Sequence, residues 1–307
     1  MTSQLKSIAI IGASGSVGKL ILDALVREAR FNVTVLTRSS SAATFPAGIN
    51  VHKTDYSNAD LIKGFTGQDA VISVVGLSGF TAQKSFIDAA ISAGVKRFIP
   101  SEFSSNTLSP AVLQLLPVFA QKKEVLDYLK EKEGSGLTWT AIWPALLFDS
   151  GLKNGFLGFD IEARTATIWD KGTSKFTLTD DEQLGEAVLA VLDRPEQTAN
   201  KKIYVASFET SQKEILAALE EATSSKWIVT DTTTEKEVAE ASEKLSKGDF
   251  DGAFTLVRAT SFANLPGLRA NYVRDEDLSN ELLGLKLECV KEPVSRVVGG
   301  SDYMLNL

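Results

Sequence analysis

Ile8-Ala9-Ile10-Ile11-Gly12-Ala13-Ser14-Gly15-Ser16-Val17-Gly18 decides the fold. The branched run from Ile8 to Ile11 reads as a buried parallel strand, and the residues from Lys19 to Ala29 have helical periodicity. Between them the three glycines make a tight turn. The first permits the turn, the second lets a pyrophosphate approach the backbone, and the third lets helix and strand pack closely. Free N–H groups at the helix start then face the anion. Gly12, Ser14, Gly15, Ser16, Val17 and Gly18 are therefore candidates to bind a dinucleotide. The spacing is Gly-x-x-Gly-x-x-Gly, and its place between strand and helix gives it meaning that three glycines alone would lack.

Working outward, strands are predicted at residues 33–36, 51–53, 70–75, 95–99 and 137–142, with helices at 58–65, 81–93 and 118–132. Such alternation specifies an α/β fold, a Rossmann-type doubly wound parallel sheet. Ligands bind beyond the carboxyl ends of its strands, which puts Gly12, Arg38, Gly76 and Ser101 on one rim. After Pro144 the pattern loosens. Residues 165–169 and 175–178 read as a hairpin closed around Asp170-Lys171-Gly172. Helices follow at 181–192, 211–222 and 234–245, strands at 202–206 and 226–229, and helical, amphipathic sequence to about Leu287. The chain thus divides into a Rossmann domain over residues 1–148 and a smaller α+β, mainly substrate-binding region over residues 149–307. Some elements of the second return to the first sheet. With no repeat or linker, the halves are expected to pack together around a cleft.

The bulk composition excludes several classes. The 307 residues carry a formal net charge of -7, which argues against nucleic acid or an acidic membrane as partner. One cysteine and one histidine leave no disulfide framework and no soft-ligand metal site. The first apolar run ends at Gly12 without a signal-peptide pattern. No run approaches the roughly 20 apolar residues that span a bilayer. The expectation is a cytoplasmic monomer or homodimer that binds a small molecule.

Arg38 lies 20 residues beyond Gly18, in Thr37-Arg38-Ser39-Ser40. An acidic residue there would bind an adenosine ribose, whereas arginine accommodates a 2′-phosphate. NADP(H) is therefore the expected cofactor, the alternative being a solvated surface arginine. On a wheel of about 100° per residue, Lys122 falls inside the apolar stripe of Leu115, Val118, Phe119, Val125, Leu126 and Leu129. A lysine on a buried face is destabilising unless its charge is used there, or unless it snorkels past the sheet. Tyr128-Leu-Lys-Glu-Lys132 matches the Tyr-x-x-x-Lys signature of short-chain dehydrogenases, but lies at the stripe's edge and late in the helix. His52 and Cys289 have no catalytic context, and Trp169 and Trp227 read as core.

Together, residues 12–18, Arg38, Arg97-Phe-Ile-Pro-Ser-Glu-Phe103, Val118-Phe-Ala-Gln-Lys122 and Leu137-Thr-Trp-Thr-Ala-Ile142 resemble the NmrA-like, isoflavone reductase-like branch of the atypical short-chain dehydrogenases. In the plant phenylpropanoid reductases of that family a helix lysine is the acid/base group, and Lys122 matches it. Val118 stands where a short-chain dehydrogenase has tyrosine. Ser104 and Ser105 follow Phe103, where the plant enzymes usually have glycine. The resemblance implies an NADPH-dependent reductase of a small aromatic secondary metabolite. Lys122 would hold the nicotinamide ribose and relay a proton, with Phe103, Phe148 and Phe156 as candidates to meet the substrate. The alternative is an NmrA-type redox-sensing regulator that binds NADP without turnover.

Overall fold

The computed structural model describes residues 4–300. In chain order its strands begin with β1 (Ser7–Ile11), β2 (Asn32–Arg38), β3 (Asn50–Thr54), β4 (Ala70–Ser73), β5 (Arg97–Ile99) and β6 (Thr138–Trp143). Next come β7 (Leu146–Leu147), β8 (Phe159–Asp160), β9 (Thr165–Trp169) and β10 (Phe176–Thr179). The last are β11 (Lys201–Tyr204), β12 (Phe208–Thr210) and β13 (Ile228–Thr232). Seven strands form one sheet in the order β11-β6-β5-β4-β1-β2-β3, with every neighbouring pair parallel. The chain runs outward from β1 to β2 and β3 and then crosses back to β4 on the other side of β1, which makes the carboxyl end of β1 the switch point of a doubly wound sheet.

The alternation of β1 builds the layers. Ile8 and Ile10 face the helices Ser16–Arg27 and Asp181–Asp193, while Ala9 and Ile11 face Asn58–Phe65, Gln83–Ser92 and Ala120–Glu131. Each fully buried isoleucine contributes about 1.5–3 kcal/mol. Two elements from the second half complete this body. Strand β11 extends the sheet beside β6, and Asp181–Asp193 packs on the first helix where Gly185 lies against Ala24. A third core holds Phe148, Phe159, Trp169, Phe176, Phe208 and Trp227, so both tryptophans are core residues as expected.

Two small sheets, ordered β12-β10-β7 and β13-β9-β8, lie outside the seven-stranded sheet. They correct the expected hairpin: β9 pairs with β8 and β13, β10 pairs with β7 and β12, and neither pairs with the other. Three consecutive left-handed residues, Asp170, Lys171 and Gly172, turn the chain away between them. The Asp170 carboxylate is committed elsewhere, accepting from the Thr234 backbone N–H at 3.1 Å. The helical reading beyond residue 245 also fails in part. Helix Asp251–Phe262 is followed by irregular chain and only short helices, Tyr272–Asp275, Asn280–Leu283 and Lys291–Val298. No helix among the described residues is long and apolar enough to cross a membrane.

Candidate active site

At the switch point, Gly12 adopts φ +89°, and a Cβ on it would lie 2.4 Å from the Val74 carbonyl oxygen. Only glycine fits where β1 passes the end of β4. A Cβ on Gly18 would meet the Gly12 oxygen at 2.1 Å, so the third glycine allows the helix to lie against the turn. Gly15 has a different environment, with a single neighbour, the Gly12 oxygen, at 3.4 Å. Its backbone caps the helix Ser16–Arg27 without a side-chain cap, and no acidic residue stands in the first turn. Ser14, Gly15 and Ser16 are exposed, and Val17 is half-buried. This cradle of open N–H groups at a positive helix end can take an anion.

Strand β2 runs past the end of β1, since Ile11 pairs with Leu36 and Arg38 lies two residues further. Arg38 is exposed, and no hydrogen bond or ion pair engages its guanidinium among the described residues. Ser39 and Ser40 beside it are exposed as well, whereas Thr37 is buried. Gly76 begins the turn after β4, exposed and with open space around a notional Cβ. The adjoining loops are laced together, because Ser101 Oγ donates to the Val75 carbonyl at 2.8 Å. The Ser101 N–H donates to Gln83 Oε1, also at 2.8 Å.

Lys122 stands two strands from the glycine corner, at the carboxyl end of β5. The turn Pro117–Phe119 feeds the helix Ala120–Glu131, which therefore begins two residues later than its periodicity predicts. The lysine is 5% exposed. Its ammonium donates to the Glu102 carbonyl at 2.9 Å and to Ser104 Oγ at 3.0 Å, and it lies 4.8 Å and 5.2 Å from the ring centres of Phe80 and Phe119. Burial draws its pKa down to about 8, against a smaller opposing pull from the Glu102 carboxylate. Glu102 is itself buried, and burial raises its carboxyl above the usual range. Its Oε2 accepts from Thr107 Oγ1 at 2.7 Å, and that oxygen accepts from Trp143 Nε1 at 3.0 Å. An ammonium near neutrality with one N–H uncommitted can donate a proton or steady an oxyanion.

The remaining sequence candidates are dispersed. Phe103 is half-buried against the core beneath the glycine corner. Phe156 is half-buried and edge-on to Phe254, under the Arg258 guanidinium. Phe148, expected to meet substrate, has no exposed surface. Its ring packs edge-on to Phe208 at 5.0 Å, and the apolar neighbours that surround it make it a core residue. Tyr128 and Lys132 lie on the outer side, both at Asp88. His52 pairs with Asp60 at 3.2 Å, and Cys289 is exposed. Sequence reasoning gave no role to Gln83, Glu102 or Phe80. The Pro-Ser-Glu-Phe step was the available signal for Glu102. Gln83 and Phe80 lay in a segment without a motif.

A doubly wound parallel sheet with a glycine corner at its switch point is a Rossmann-type fold. Residues 4–242 match the NmrA-like family, and the chain belongs to it. It is similar to an oxidoreductase, aprR, of Aspergillus flavus, at 36% identity over 95% of this chain and 99% of the relative. It is also 34% identical to the oxidoreductase poxI of Penicillium oxalicum, over 93% of this chain and 92% of that one. Among solved structures, the leucoanthocyanidin reductase–NADPH complex of Vitis vinifera superposes with a TM-score of 0.77. That match covers 95% of this chain and 99% of the other, at 18% identity, a likeness of fold.

Proposed function

We propose that this protein is an NADPH-dependent reductase of a small aromatic metabolite, with Lys122 as its acid–base group. The observation that carries the reading is the buried Lys122 ammonium on the same rim as the glycine corner, with one N–H unspent. The residues present fit the dinucleotide. The open cradle at Gly12–Gly18 would take the pyrophosphate, the unpaired Arg38 the 2′-phosphate, and the exposed Gly76 turn leaves the middle of the rim clear. When bound, the reduced nicotinamide supplies hydride. The chain supplies orientation, exclusion of water by Phe80 and Phe119, and at Lys122 Nζ a proton for the oxygen that gains charge. Relatives named as oxidoreductases support this class of chemistry.

The test is NADPH consumption by the purified protein against aromatic ketones, enones and propenylphenols, beside calorimetric titration with NADPH and NADH. Turnover with at least one class and tighter binding of NADPH are the expected results. Tight NADPH binding with no turnover anywhere would instead support the redox-sensing regulator, which has the same glycine corner but no use for a buried lysine.

A further inference from the structure

We propose that the Ser104 hydroxyl is the group through which the Lys122 proton reaches the substrate. The inference deepens the reductase reading and rests on it. Ser104 is the more accessible end of the pair, half-buried where Lys122 is buried. Ser104 Oγ accepts from Lys122 Nζ at 3.0 Å, but among the described residues its own proton has only the Ser105 carbonyl as acceptor, at 3.4 Å. That length is at the edge of hydrogen bonding. The hydroxyl is thus well supplied with a donor and poorly supplied with an acceptor. A substrate oxygen arriving at the rim would complete it.

Its neighbour holds it in place. Thr260 Oγ1 donates to the Val257 carbonyl at 2.7 Å, so in the contact between Ser105 Oγ and Thr260 Oγ1 the serine is the donor. This bond fastens the 104–105 turn to the helix Asp251–Phe262, a second-half element. Glu102 is the charged group acting on Lys122, and Phe80 and Phe119 close the remaining sides.

The step balances with one hydride and two proton transfers. The bound nicotinamide would supply hydride and its electron pair to the substrate carbon, and the carbonyl π electrons would move to oxygen. The Ser104 O–H bond breaks as an O–H bond forms on that oxygen. A Lys122 N–H bond then breaks and restores the hydroxyl, leaving a neutral amine that water reprotonates. The lysine is suited to this because burial holds its pKa near 8 rather than in the ordinary lysine range.

The experiment compares wild type, Ser104→Ala and Ser104→Thr with NADPH and the best compound of the ketone and enone panel. It adds NMR titration of isotopically labelled lysine side chains, with Lys122→Met for assignment. For Ser104→Ala, kcat should fall about ten- to a hundred-fold while KM stays within about threefold. The proton inventory should change from two transferred protons to one, and threonine should restore both. The Lys122 midpoint should also drop in Ser104→Ala, because an acceptor that favours the ammonium is gone. An active wild type with an equally active alanine variant overturns the relay and leaves the reductase reading standing. A wild type that consumes NADPH with no compound sinks both, and an unmoved lysine midpoint refutes the contact itself.

Discussion

Strand β5 has a buried cation at each end, and the two are held in opposite ways. At its start, Arg97 is 2% exposed. Its Nε donates to Thr138 Oγ1 at 2.9 Å, its Nη1 to Thr140 Oγ1 at 2.7 Å and Thr198 Oγ1 at 3.0 Å, and its Nη2 to the Pro195 carbonyl. Those four bonds tie β5 to β6 and to the chain that returns from the second half. Beyond the other end of β5, Lys122 uses two N–H groups and keeps the third against aromatic rings. Burial lowers Arg97 to about 10 and Lys122 to about 8, so only the lysine can change charge near neutrality. The arginine fork is spent on architecture, whereas the lysine keeps a proton to give.

The largest effect should come from Lys122→Met, which preserves the stem and removes the charge. Turnover should fall by roughly 10²–10⁴-fold, with NADPH binding only modestly weaker. Stability should move the other way. The unfolded chain holds the lysine proton up to about 10.5 and the folded chain only to about 8. The charge is therefore a burden fully present below pH 8 that disappears as pH rises through 10.5. At pH 7 the methionine variant should be about 1–3 kcal/mol more stable by urea titration, an advantage that fades by pH 10.5. A variant less stable at both pH values would make Lys122 a second Arg97.

Arg97→Met tests the other end. It removes the donor from the buried hydroxyls of Thr140 and Thr198, the half-buried hydroxyl of Thr138 and the Pro195 carbonyl, so about 2–4 kcal/mol of stability should be lost, roughly 1 kcal/mol for each bond. The folded fraction should retain its NADPH affinity, because Arg97 begins β5 whereas the glycine corner lies at the carboxyl end of β1. Affinity lost in proportion to stability would mean that the two ends of the sheet are coupled.

Arg38→Ala should act between these extremes. Loss of a charge-assisted bond of about 1.5–3 kcal/mol weakens NADPH roughly ten- to a hundred-fold, while NADH is unaffected. Titration calorimetry with both nucleotides reads the difference directly. Equal wild-type affinities for the two would leave Arg38 a solvated arginine, like many at strand ends.

The sheet and its rim were legible because their signals are local. Ile8–Ile11, the glycine triplet and Arg38 report on adjacent elements, and a wheel alone put Lys122 on a buried face. What escaped depends on partners distant in sequence. The turn at Asp170–Gly172 looks like a hairpin until Thr234 takes the aspartate. Phe148 looks like a pocket residue until Phe208 covers it. The apolar sequence of the second half is shared among two three-stranded sheets, whose strands of two to five residues carry too little alternation to set register. The acceptors of Lys122 were missed because one of them is a backbone carbonyl, which no side-chain pattern can disclose.

The smallest effect should belong to the competing motif on the same helix. Tyr128 OH donates to Asp88 Oδ1 at 2.6 Å, and Lys132 lies 4.7 Å above the tyrosine ring and 3.7 Å from the same carboxylate. Both side chains are partly exposed. Ten residues of helix at 1.5 Å each put Lys132 about 15 Å from Lys122 along the axis, away from the rim that holds Gly12 and Ser101. Surface contacts of this kind contribute little, and nothing links them to the Glu102–Thr107–Trp143 chain beneath Lys122. Tyr128→Phe and Lys132→Met should therefore each leave kcat/KM within about twofold of wild type. The discriminating result is the reversed pair, an inactive Tyr128→Phe beside an active Lys122→Met. Chemistry would then run on the Asp88 side of the helix, and the uncommitted N–H of Lys122 would be no more than a consequence of its burial.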